Sequence, residues 1–227
     1  MRVLRTGGRA LRVAVREGAP GWPPLLLCNG IGASLELLQP FVDALDPRRG
    51  VIRFDMPGVG GSPAPVLPYH LHTSAPLLAG LLDQLGYPQA DVLGISWGGG
   101  LAQQFALSRP DRVRRLVLVA TGTGALMVPA HPRVLLRMLT PRRHRDPGYA
   151  ASVAGELYGG SARQDPIIPL VNARIMHRLI PRSELHIYHG GHLELAADAE
   201  HIAPVVEAFL DADLTLPESQ ARKGSQR

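Results

Sequence analysis

The chain is short of several residue types, and each shortage closes a class of explanation. Cys28 is the single cysteine in 227 residues, which excludes an intrachain disulfide and a cysteine-based metal cluster. Next to a predicted buried strand, it reads as a small core residue and not a reactive thiol. Lys223 is the single lysine, so the net charge of +5 rests on arginine. Aromatic residues make up only 5% of the chain. None interleaves the clusters Arg112/Arg114/Arg115 and Arg142/Arg143/Arg145, which argues against a base-stacking platform. Those clusters read as a solvated arginine-rich surface, and no nucleic-acid partner is expected. No apolar run approaches the roughly 18 residues that cross a bilayer. The stretch from Met1 to Val15 alternates apolar and polar residues and lacks the apolar core of a secretory signal, so a cytoplasmic chain is expected.

What is present is enough apolar material, 45% of the chain, for one packed domain. That domain is expected over residues 1–214, followed by a polar, frayed tail at 215–227. Short apolar runs predict strands at Arg12–Arg16, Pro24–Cys28, Val51–Phe54, Asp91–Ile95, Arg115–Ala120 and Glu184–Tyr188. Helical spacing falls between them at Leu35–Leu45, Ser74–Leu85, Trp97–Ser108 and Ala199–Leu210. Continuous apolar strands separated by helices imply an α/β fold with a mostly parallel sheet covered on both faces. Residues 125–164 break the rhythm. They carry Pro129, Pro132, Pro141 and Pro147 with an amphipathic stretch at Arg133–Leu139, and they read as an insertion.

The chemical signal is Gly94-Ile95-Ser96-Trp97-Gly98, which matches G-x-S-x-G between a predicted strand and a predicted helix. A serine nucleophile needs a sharp, strained turn that exposes its hydroxyl. Flanking glycines let strand and helix backbones pass closely, and the helix N-terminus aims N–H groups at a developing oxyanion. Asn29-Gly30-Ile31-Gly32 follows the strand Pro24–Cys28. In α/β-hydrolases the loop at that place and the residue after the nucleophile each supply one oxyanion N–H. Here those residues are Ile31 and Trp97. A base must reach the serine from a loop after a strand, and His192 in Gly190-Gly191-His192 has that position. His186 and His189 lie in or at the end of a predicted strand, and His201 on a helix surface. The acid should fall between Ser96 and His192. Asp111 is at the wrong edge of the sheet, Asp146 lies in the insertion, and Asp165 is the best-placed candidate. Asp55 precedes the nucleophile and reads as structural. No dinucleotide or phosphate fingerprint and no metal-ligand spacing is present, so neither cofactor nor metal is expected.

These segments together resemble the intracellular poly(3-hydroxyalkanoate) depolymerases of the α/β-hydrolase fold. The matching stretches include LLLCNGIGASLELLQPFVDALDP, FDMPGVGGSPAP, VLGISWGGGLAQQFA, DPIIPLVNARIMHRLIP and ELHIYHGGHLEL, in order over most of residues 24–196. The resemblance implies a Ser96, Asp165, His192 triad and a polyester of 3-hydroxy fatty acids as substrate. A storage-granule surface is then a candidate partner and location. A generic carboxylesterase or lactonase is the alternative. The resemblance also implies that residues are missing. In the family a longer lid and another strand separate the YGG segment from the acid, whereas Gly159-Gly160 here leads to Asp165-Pro166 within a few residues. Only about 45 residues separate Ala120 from Asp165, and none of 155–164 reads as a strand. A truncated lid and a sheet short of one strand are therefore expected. Weakened esterase activity is expected with them, down to a catalytic remnant that only associates with a granule.

Overall fold

The computed structural model describes residues 1–66, 68–124, 127–140, 142–158 and 165–212. Its strands are β1 (Arg2–Thr6), β2 (Arg9–Arg16), β3 (Leu25–Cys28), β4 (Val51–Phe54), β5 (Ala90–Ile95) and β6 (Val113–Val119). Its helices are α1 (Gln39–Ala44), α2 (Leu71–Leu85), α3 (Trp97–Ser108), α4 (Pro132–Leu139), α5 (Arg142–Arg145), α6 (Pro147–Tyr158), α7 (Leu170–Leu179), α8 (Glu194–Ala197) and α9 (Ala199–Asp211). The strands form one sheet in the order β1-β2-β4-β3-β5-β6. The β1/β2 and β2/β4 pairs are antiparallel and the remaining pairs parallel.

Alternation along the central strands divides the core into two layers. Leu26, Cys28, Ile52 and Val92 face one side, where they join Leu78 and Leu82 of α2 and Leu101 and Phe105 of α3. Leu25, Leu27, Leu93 and Ile95 face the other, where they join Phe41 of α1 and Ile202, Val206 and Leu210 of α9. A third, separate cluster joins the insertion to the segment after it, where Ala130, Val134, Val153, Leu157 and Ile167 pack together.

Several boundaries differ from the sequence expectation. The first strand is a hairpin that begins at Arg2, turned by Gly7 and Gly8, both at positive φ. The expected helix Leu35–Leu45 is helical only from Gln39. Its first residues are drawn into turns, and the Leu35 N–H donates to Asp55 Oδ1 at 2.7 Å. Helix α7 occupies a stretch for which no helix was expected.

The main correction concerns the last expected strand. Among the described residues Glu184–Tyr188 forms no strand, and the sheet stops at β6. The two facts are linked. A strand needs a neighbour whose backbone it can pair with, and among the described residues no strand lies beyond β6 to offer one. Six of the seven residues of β6 are only partly buried, whereas every residue of β3 and β5 is buried. The junction 159–164 and the expected tail 215–227 lie outside the described residues.

Candidate active site

Strand β5 passes the chain to α3 through Ser96, in a backbone conformation that serine adopts only at a cost. Its φ is 56° and its ψ −123°, a region worth about 1–3 kcal/mol of strain. Packing holds it there. A Cβ on Gly94 would lie 2.3 Å from the Gly98 carbonyl oxygen, and a Cβ on Gly98 only 2.0 Å from that of Cys28. Glycine at both places lets α3 press against the end of β3. The Ser96 N–H donates to Val119 O at 3.0 Å, and Gly99 N–H donates to Ser96 O at 2.9 Å. The Thr121 hydroxyl donates to the same carbonyl at 2.7 Å.

The loop after β3 lies against this turn, since a Cβ on Gly30 would sit 3.5 Å from Ser96 Cβ. Asn29 Nδ2 folds the loop by donating to Ser34 O at 2.9 Å. Its exit is clamped by Asp55, fully buried at the end of β4. That carboxylate accepts the N–H of Leu35 at 2.7 Å and of Gly61 at 2.8 Å, and Arg12 Nε donates to it at 2.5 Å. Arg12 also grips Glu36 with two bonds of 2.8 Å, which holds the Glu36 carboxyl down at about 2. Asp55 thus has the structural role its place in the sequence suggested. Ile31 and Trp97 line a cavity of about 210 Å³ together with Gly30, Gly32, Met56, Val59 and Tyr69.

Asp165 and His192 lie side by side. His192 Nδ1 donates to Asp165 Oδ2 at 2.7 Å. With the proton on Nδ1, Nε2 carries the lone pair that a base needs. Asp165 Oδ1 accepts the N–H groups of Ile167 at 2.8 Å and Ile168 at 3.0 Å. Ile167 is buried in a cluster with Val134 and Val153 of the insertion, so the turn that holds the carboxylate is anchored there. His192 is 4% exposed. Glu194 braces its loop by accepting the Gly191 N–H at 2.9 Å. Tyr188 stands close by, its hydroxyl pushed up to about 12 by burial and by the charges of Asp165 and Glu194. The serine completes no chain with them. Among the described residues no hydrogen bond joins Ser96 Oγ to His192.

The other candidates are engaged elsewhere. Asp111 sits in the exposed turn before β6, and Asp146 accepts the Tyr149 N–H at the start of α6. His201 is exposed and paired with Asp198 at 2.5 Å. Arg112 binds Asp83, Arg114 binds Asp91, and Arg115 lies over the Phe209 ring, so the first basic cluster is spent on contacts within the fold. Cys28 is fully buried, with its thiol pushed up to about 12 by burial. Among the described residues no group of three or more His, Cys, Asp or Glu is placed to hold a metal. No helix among them is long and apolar enough to cross a membrane.

Comparison with known proteins decides the family. The sequence profile of the alpha/beta hydrolase fold matches residues 23–156. The chain belongs to the α/β-hydrolase family. A poly(3-hydroxyalkanoate) depolymerase of Ectopseudomonas oleovorans is 40% identical over 262 aligned positions, covering 93% of this chain and 93% of that protein. That alignment is longer than the 227 residues of this hydrolase, so the relative carries residues that are missing here. A 2-hydroxymuconate semialdehyde hydrolase of Pseudomonas putida is 30% identical, covering 71% of this chain and 77% of that one. Among solved structures, a membrane phospholipase A described as a bacterial virulence factor superposes with a TM-score of 0.82 at 20% identity, covering 95% of this chain and 86% of that one. An enol-lactonase from Burkholderia xenovorans LB400 gives 0.78 at 18% identity, covering 92% and 99%. Both share the hydrolase fold.

Sequence reasoning missed four residues that shape this hydrolase's site. Thr121 and Glu194 act through one bond each on the elbow and on the histidine loop. Ile167 anchors the Asp165 turn. Asn172, 1% exposed, exchanges two hydrogen bonds with the Val128 backbone and ties the insertion to α7. Only Thr121 carried a local signal, a polar residue followed by glycine directly after a predicted strand.

Proposed function

We propose that this hydrolase cleaves a polyester of 3-hydroxy fatty acids through an acyl-enzyme on Ser96, with His192 as base and Asp165 as the acid that orients it. The reading is carried by the Asp165–His192 pair, which supplies an oriented imidazole on a loop whose Leu193 belongs to the same cluster as Ile95 and Val119 at the elbow. His192 Nε2 takes the Ser96 hydroxyl proton as the oxygen attacks the ester carbonyl. The N–H groups of Ile31 and Trp97 hold the resulting oxyanion. Collapse releases the hydroxyl end of the next unit, which takes its proton from His192. Water, activated by the same imidazole, then frees the acid and regenerates Ser96. The Ser96–His192 hydrogen bond forms on substrate binding, as catalytic hydrogen bonds that are long in free enzymes tighten in their complexes.

The substrate class rests on the relative at 40% identity. The cavity beside Ile31 and Trp97, about 210 Å³, is too small to enclose a polymer, which would lie across the surface. Ile31, 70% exposed, and Leu136, 73% exposed, offer apolar contact to an insoluble granule and support a granule-associated reading. A second reading, a weakened remnant, draws on the shortened chain and on the lack of a Ser96–His192 hydrogen bond among the described residues.

A fluorophosphonate probe and a suspension of the polymer separate the readings. The proposal expects labelling that Ser96→Ala abolishes, and clearing of the suspension. Turnover of small esters without clearing favours a generic esterase or lactonase. A folded protein that never labels overturns the enzyme reading.

A further inference from the structure

The end of β6 grips the nucleophile turn at three points. Val119 O accepts the Ser96 N–H at 3.0 Å. Thr121 Oγ1 donates to Ser96 O at 2.7 Å. Gln103 Nε2 joins Gly99 O at 3.1 Å to Gly122 O at 3.0 Å. Thr121 is 5% exposed, and it fits so closely that a Cβ on Gly99 would lie 2.5 Å from its methyl group.

The Ser96 carbonyl and the Trp97 N–H belong to one planar trans peptide, so they point in opposite directions. Fixing the carbonyl fixes the N–H. Trp97 is the first residue of α3, and its N–H has no partner within the helix. We propose that Thr121 is a positioning residue for the oxyanion site: its hydroxyl holds the Ser96–Trp97 peptide so that the Trp97 N–H faces the developing charge. This rests on the reading of Ser96 as nucleophile and goes beyond it, because Thr121 touches no reacting atom. Gly99 N–H holds the same carbonyl at 2.9 Å, so loss of the hydroxyl loosens the peptide without freeing it.

Thr121→Val keeps the side chain's shape and removes the donor, and Thr121→Ser keeps the donor. The readouts are kcat and KM on a chromogenic butyryl ester, melting temperature, and peptide-level hydrogen exchange across residues 94–101. Complete removal of an oxyanion donor costs about 10²–10³ in kcat. A misaimed donor keeps part of its effect, so Thr121→Val is expected to lose about ten-fold in kcat, with KM unchanged. Thr121→Ser recovers most of that loss. The midpoint of the kcat/KM pH profile stays in place, because His192 and Asp165 are untouched. Exchange at the elbow quickens in the valine variant alone. Wild-type kcat in Thr121→Val, or equal losses in both variants that follow the melting temperature, overturns the proposal. A wild-type protein that neither labels nor turns over refutes the nucleophile reading instead. Elbow exchange then decides on Thr121: faster in the valine variant than in wild type and serine supports its positioning role, and equal exchange overturns it.

Discussion

Replacing Ile167 with alanine tests whether the acid hangs from the insertion. The change removes three carbons from a residue that is 6% exposed. Such truncations cost about 2–5 kcal/mol, depending on how well the site can collapse. The cluster around Ile167 is small and is bordered by partly buried Leu135, Met138, Tyr149 and Ile168, which can settle into the gap. The low end, about 2 kcal/mol, therefore applies. If that loss were shared by the whole fold, the melting temperature would fall by about 4–8 °C for a chain of this size. A local loss is expected instead, because the cluster shares no member with the two clusters on the sheet. Two kcal/mol raises the population of an opened turn about 30-fold. Asp165 then spends less time beside His192, and kcat falls while KM holds. Hydrogen exchange over 165–172, compared with 90–95, reads the effect next to calorimetry. If both segments quicken together and the melting temperature drops by the full amount, the acid is anchored by the sheet and the reasoning is wrong.

Three further outcomes follow from single observations. Gly98→Ala forces a Cβ to 2.0 Å from the Cys28 carbonyl, where no side chain can yield. It should cost more than about 4 kcal/mol and leave little folded protein, whereas Gly100→Ala, facing only the end of Leu71, should fold; soluble yield and circular dichroism compare them. The Glu36 carboxyl, held at about 2 by Arg12 against an ordinary 4.5, adds stability that is complete above pH 4.5 and fades as the pH falls towards 2. Glu36→Gln should flatten that acid limb, measured as urea midpoints between pH 6 and 3. Cys28, buried and with its thiol pushed up to about 12, should resist an aromatic disulfide reagent until denaturant is added; rapid modification of native protein would contradict its burial.

The central sheet was readable because Leu25–Cys28 and Ala90–Ile95 are apolar on both faces, and a strand buried on both sides shows that in composition alone. The elbow was readable because Gly94, Ser96 and Gly98 answer a steric demand that few other residues meet. The shortened span before the acid was readable as chain length, from the short distance between Ala120 and Asp165. Its effect on Glu184–Tyr188 was not, because pairing depends on a neighbour that local pattern does not report. The hairpin at Gly7-Gly8 was passed over since Arg2–Thr6 is largely exposed and carries little apolar signal. The anchoring of Asp165 was invisible for a related reason. Ile167 meets Val134 and Val153 only in three dimensions, and no spacing within the chain announces that contact.

A sheet that ends on an unpaired strand carries a template along its flank. Among the described residues no segment pairs with the outer side of β6. The strand has no proline, and its two arginines are drawn to Asp91 and to the Phe209 ring instead of standing guard over the margin. Extended backbone from another chain can register there, so the protein should lose monodispersity as its concentration rises, as light scattering across a dilution series would show. The same strand holds the Ser96 turn, so colloidal association at the margin and the geometry of that turn share one piece of backbone.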